Sequence, residues 1–79
     1  MKHNVDVNAQ NDNGNTHLHL AVQRILTKYI PWFLKKYGAH VNPNLKNKDG
    51  FTILELAKRY GYYTLTQAVE QGLKYVKSR

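Results

Sequence analysis

Four histidines, five carboxylates and six tyrosines are the groups from which this 79-residue chain could build chemistry. His17 and His19 invite a metal reading. Residues two apart on a helix point about 200° away from each other, however, so the pair cannot converge on one ion. His3 and His40 have no spacing that suggests a ligand set, and without cysteine there is no thiolate catalysis, disulfide or cysteine-bound zinc. The acids are Asp6, Asp12, Asp49, Glu55 and Glu70, and the sole serine is Ser78. Asp12 and Asp49 lie in turn sequences and read as turn formers rather than a carboxylate pair. Gly14 and Gly50 stand alone, so there is no Gly-rich phosphate loop. Nothing assembles a nucleophile, a base and an orienting group. Neither an enzyme nor a cofactor or small-molecule substrate is expected.

Binding chemistry is better represented. Tyr60, Tyr62 and Tyr63 surround Gly61, just after Lys58-Arg59. Tyrosine and arginine are the usual energetic anchors of protein interfaces. The same mixture could stack on and neutralise a single nucleic-acid strand, or the rings could cover core at the end of a stack. Twelve Lys and Arg against five acids give a formal charge of +7, which attracts nucleic acid, anionic lipid or an acidic protein, or simply solubilises. The basic residues are scattered, apart from Lys74, Lys77 and Arg79. The longest nearly apolar stretch, Tyr29 to Leu34, is too short to span a bilayer. Met1 to Asp6 holds no apolar run that could act as a signal peptide. A soluble, cytoplasmic protein is expected.

The elements that must position these groups come from an internal repeat. Asn11-Asp12-Asn13-Gly14-Asn15-Thr16-His17-Leu18-His19-Leu20-Ala21 aligns with Asn47-Lys48-Asp49-Gly50-Phe51-Thr52-Ile53-Leu54-Glu55-Leu56-Ala57 at an offset of 36 residues. Val7-Asn8 and Val41-Asn42 match at 34, so the second copy carries two extra residues within Pro43 to Lys46. Gly14 and Gly50 close turns and are expected at positive φ. Thr16 and Thr52 can cap helices. The spacing of Leu18, Ala21, Val22 and Ile25, and of Leu54, Ala57 and Lys58, predicts first helices over about 16–26 and about 52–60. Leu18 and Leu54 are then equivalent core positions. Second helices follow, with stripes of Ile30, Phe33, Leu34 and Tyr37 and of Leu65, Ala68 and Val69, the last helix covering about 64–71. Pro31 belongs in the first turn of its helix, Gly38 and Gly72 read as stops, and Gly61 marks a tight link. Neither helical pair can bury its apolar face alone.

These units resemble ankyrin repeats. The Thr-Pro-Leu-His hallmark, followed by alanine two residues later, stands here as Thr16-His17-Leu18-His19-Leu20-Ala21 and Thr52-Ile53-Leu54-Glu55-Leu56-Ala57. The closing Gly-Ala-Asp-Val-Asn stands as Gly38-Ala39-His40-Val41-Asn42 and, degraded, as Asn4-Val5-Asp6-Val7-Asn8. The resemblance runs from about residue 4 to 72. His17 and Ile53 replace the hallmark prolines, Glu55 replaces the second histidine, and the first unit lacks the usual inter-helix glycine. The fold implied is all-α, with helix-turn-helix repeats stacked as a short solenoid with projecting turns. It forms one domain over 1–79, with repeats at about 8–40 and about 42–72 and a basic tail at 73–79. The resemblance gives His19 a structural role, bonding to the Thr16 hydroxyl or nearby backbone.

Ankyrin-like repeats bind with finger tips and the exposed face of the first helices. The finger contacts implied are Asp12, Asn13, Asn15, Lys48, Asp49 and Phe51, and the inner-helix contacts Gln23, Arg24, Arg59 and Tyr60. Phe51 is expected to face solvent. The expected function is a protein–protein interaction module, whose partner the sequence does not name. One rival is nonspecific binding to nucleic acid or an anionic surface, and another is a structural piece of a longer array. The last helix carries polar residues as a terminal cap should. No preceding helical pair covers Leu20, Leu26 or the aromatics near Trp32, so the isolated chain is expected to self-associate through the first unit or to be marginally stable as a monomer.

Overall fold

The computed structural model describes residues 6–76. Lys77, Arg79, His3 and the first two residues of the Asn4 to Asn8 motif lie outside them. Four α-helices form two antiparallel pairs, and no strand is present among the described residues. The helices are α1 (His17–Gln23), α2 (Tyr29–Tyr37), α3 (Ile53–Tyr60) and α4 (Tyr63–Leu73), with a 3-10 turn, Gly38–His40, after α2. Within the pairs α1 packs on α2 and α3 on α4, and between them α1 lies on α3 and α2 on α4.

Both first helices begin in the same way. The Thr16 hydroxyl accepts from the His19 backbone N–H while the His19 ring accepts from the Thr16 N–H. Thr52 and Glu55 repeat the arrangement. Each is a reciprocal cap that satisfies two otherwise free amides.

The ends of α1 and α3 differ. Gly61 closes α3 at φ +80°, and Ile25 takes the corresponding position after α1 at φ +57°. A β-branched residue pays for that conformation. As a result α1 stops at Gln23 instead of near 26, and Ile25 is exposed rather than part of the apolar stripe.

Between the pairs the core is filled by Leu18, Ala21 and Val22 of α1, Ile30, Phe33 and Leu34 of α2, and Ile53, Leu56 and Ala57 of α3. Leu65, Ala68 and Val69 of α4 complete it. Leu54 is only half-buried and Lys58 is exposed, contrary to the predicted stripe. In the second unit the buried face has turned toward the first unit, because among the described residues no further helix packs on the side that Leu54 occupies. Pro31 does sit in the first turn of α2.

Gly72 is not a stop. It lies inside α4, where an added Cβ would come within 2.5 Å of Leu34 Cδ1, so its lack of a side chain lets α4 close on α2. Gly38 caps α2 without positive φ; its bareness admits the Tyr75 backbone, whose carbonyl oxygen would be 2.7 Å from an added Cβ.

The buried sets Ile30, Phe33, Leu34 and Leu65, Ala68, Val69 coincide at an offset of 35 residues, which pairs Tyr37 with Gly72. The α2 positions are aromatic where those of α4 are small. Phe33 is buried because its neighbours cover it: the His17, Tyr29 and Tyr37 rings lie 5.0, 5.7 and 4.8 Å from it. His17 also hydrogen-bonds the Tyr29 hydroxyl, whose pKa is raised by burial and then by the nearby Tyr37. The front of the first unit is therefore partly self-covered, with Leu20, Leu26 and Trp32 left exposed.

The two turn glycines separate in expected cost. Gly14 and Gly50 both adopt positive φ. An alanine Cβ at Gly50 meets nothing within 4 Å, so Gly50→Ala should cost about 1 kcal/mol from backbone strain alone. At Gly14 the same atom would lie 2.8 Å from the Lys48 backbone nitrogen, and the two turns must separate. Urea melts should show Gly14→Ala to be clearly the more destabilising change. Equal costs would mean the turns are not in contact.

Candidate protein-interaction surface

Each projecting finger is a closed loop built around an asparagine. The Asn11 side chain accepts from the Asn13 and Asn15 amides, and Asn47 accepts from those of Asp49 and Phe51. Backbone bonds Asn11 N to Asn15 O and Asn47 N to Phe51 O, both 3.0 Å, complete each loop.

The fingers are also tied to each other. The Lys48 amide donates to the Asn13 carbonyl at 2.9 Å, the buried Asn47 side chain donates to Asn15 Oδ1 at 3.1 Å, and Gln10 Nε2 bridges the Gly14 and Lys46 carbonyls.

His19 adds the deepest link. Its Nδ1 faces the Thr16 N–H, which can only donate, so Nδ1 carries no proton. Nε2 must carry it, and donates to the Phe51 carbonyl at 2.8 Å. The ring is fully buried, and that desolvation lowers its pKa, with the Phe51 hydrogen bond acting in the opposite sense. The first unit is thereby fastened to the turn of the second. The structural role implied for His19 is what the geometry shows. At the corresponding position Glu55 is exposed, with no further repeat behind it among the described residues.

A family model for ankyrin repeats in three copies matches residues 1–77. The chain belongs to the ankyrin repeat family. It is also 47% identical, over 55 residues that make up 66% of its length, to an ankyrin repeat protein of Rickettsia felis. The chain spans 23% of that relative. No solved structure matches it significantly. Ankyrin repeats are generally protein–protein interaction modules, and the family is typically non-enzymatic. No helix among the described residues is long and apolar enough to cross a membrane.

In this ankyrin stack Asp12, Asn13, Lys48 and Asp49 are exposed at the finger tips, and Gln23, Arg24, Arg59 and Tyr60 are exposed at the ends of α1 and α3. Two of the expected contacts fall elsewhere. Asn15 is buried, its side-chain oxygen taken by Asn47, so it joins fingers rather than meeting solvent. Phe51 is half-buried against the core, and the Arg59 guanidinium lies 5.4 Å from its ring centre. That contact connects the second finger to α3.

Tyr60, Tyr62 and Tyr63 are exposed, so they do not serve as core cover. Ile25 and Leu26, exposed in the matching link of the first unit, were missed as candidates because their spacing reads as a continuation of α1. The departure from glycine at position 25 is the one signal in the sequence that marks them.

Proposed function

We propose that the chain binds a partner protein through its finger tips and the ends of α1 and α3, with Asp12, Asn13, Lys48 and Asp49 supplying polar contacts and Arg24, Arg59 and Tyr60 the anchors, Gln23 beside them. The observation that carries this is the rigid joining of the two fingers by the Lys48–Asn13 backbone bond and the buried Asn47–Asn15 pair, while their tips stay exposed. Polar groups held in place before binding lose little entropy on docking. Arg and Tyr beside them are the residue types that dominate interface energetics.

Immobilised chain exposed to cell extract, compared with an Arg24→Ala, Tyr60→Ala double variant, tests the assignment. The expected result is a captured protein that the variant releases while its helical spectrum and melting temperature are unchanged. Retention of every captured protein by the variant would remove this surface from consideration. Repeating the capture over a salt series separates it from charge-driven binding, which weakens steeply with salt.

A role within a longer stack is a second reading, and one contrast favours it. Leu20 is 37% exposed, whereas Leu56, its equivalent in the second unit, is 6% exposed against the first unit. A further helical pair placed before α1 would cover Leu20 as α1, packed on α3, covers Leu56. Fusing a neighbouring pair from the Rickettsia felis relative should then raise the melting temperature, and an unchanged value would count against it.

A further inference from the structure

On the other helical layer, α2 and the turn after α4 enclose a cleft of about 190 Å³ lined by Pro31, Trp32, Lys35, Gln71, Lys74 and Tyr75. We propose that this cleft binds single-stranded nucleic acid, with a base stacked on Trp32 and Tyr75 and phosphates on Lys35 and Lys74.

The two rings are 53% and 41% exposed although both are large and apolar. Each is accompanied by a lysine, one from each wall, and no carboxylate among the described residues lines the cleft. Glu70 precedes Gln71 on α4 but takes no part in the lining. Lys36 lies 5.9 Å from the Trp32 ring centre, and Lys74 lies 5.7 Å from that of Tyr75, so ring faces and cations are already adjacent.

The wall positions are fixed by the backbone. The turn carrying Lys74 and Tyr75 is closed by bonds from Tyr75 N to Gly72 O and Val76 N to Leu73 O, both 3.0 Å. It rests on Gly38, where no side chain could fit beneath the Tyr75 carbonyl. Aromatic faces interleaved with lysines are the combination that holds a single strand, because every base has a face to stack and every nucleotide a charge to neutralise. A net charge of +7 draws the strand in. An anionic membrane would use the lysines equally, but has no use for two exposed rings in the lining of one cleft.

Trp32 is the only tryptophan in the chain, so its fluorescence reports on the cleft and on the adjoining front of the first unit, and the Tyr75 and lysine variants tell the two apart. Titrating the 79-residue chain at low salt with a short oligothymidylate should give saturable quenching. Tyr75→Leu should weaken binding about tenfold or more. A Lys35→Ala, Lys74→Ala variant should lower the salt slope by about 1.4, the value for two lost phosphate contacts on a single strand. A Lys46→Ala, Lys58→Ala variant removes the same charge from exposed sites outside the cleft and should keep the quenching.

Absence of quenching overturns the proposal. So does equal weakening by the two double-lysine variants, or equally tight binding of inorganic polyphosphate, since either would mean charge alone. A Trp32 response to phosphatidylserine vesicles without one to oligothymidylate would transfer the cleft to a membrane and also overturn it.

Discussion

Leu18→Ala is expected to cost about 2–5 kcal/mol, a loss comparable to the whole stability of a domain this small. Leu18 is 2% exposed and sits where α1 meets both α2 and α3. Shortening it leaves a hole that three helices cannot close together. The corresponding change in the second unit should behave differently. Leu54 is half-buried and borders an open recess with Val41, Pro43 and Leu73. Leu54→Ala should therefore cost only about 1–2 kcal/mol, the share of burial it actually has. Urea melts of the two variants give the comparison directly. Equal losses would mean that the far side of the second unit is as well covered as the junction.

The second large effect lies at His19. Its neutral ring accepts from Thr16 and donates to the Phe51 carbonyl; a second ring proton would point at the Thr16 N–H. The folded chain therefore resists protonation there, in keeping with the lowered pKa. The sign follows: below about pH 6.5 the unfolded chain takes up a proton that folded His19 refuses, so stability falls as pH drops through that value and continues to fall toward the depressed folded pKa. Above it the contribution is flat.

His19→Ala should cost about 2 kcal/mol or more at neutral pH, through lost hydrogen bonds and the space left by a fully buried ring. His19→Gln separates the two roles of the side chain. Glutamine can still complete the cap on Thr16, so α1 should persist, but the acid slope should shrink. Urea melts between pH 5 and 8 on both proteins provide the measurement. An unchanged slope in the glutamine variant would assign the acid sensitivity to the other histidines.

The sequence was most informative where local chemistry alone decides the outcome. Thr16 and Thr52 begin helices because a hydroxyl followed three residues later by an acceptor closes a cap, and no distant contact is needed. Gly14 and Gly50 turn the chain for the same kind of reason. It was less informative where a neighbour decides. Leu18 and Leu54 have matching surroundings along the chain, and only the presence of α3 beside one of them makes them differ. Gly72 looks like a stop signal but is a clearance for Leu34, which lies 38 residues earlier. Asn15 resembles any polar turn residue until Asn47, from the next finger, takes its oxygen. The finger and inner-helix candidates were legible through the repeat register, except for Asn15, Phe51 and the exposed Ile25 and Leu26.

The mismatch between Tyr37 and Gly72 bears on what copies of this molecule can do to one another. Unlimited filaments need a front that fits its own rear, so that each added copy repeats the previous junction. Within the molecule, the junction works because Ala68 and Gly72 are small enough for α4 to close on Leu34. A second copy arriving front-first would bring Tyr37 where the internal junction has Gly72, with Phe33 and the rings that cover it where that junction has Ala68. Copies therefore cannot extend each other in series by repeating the internal contact.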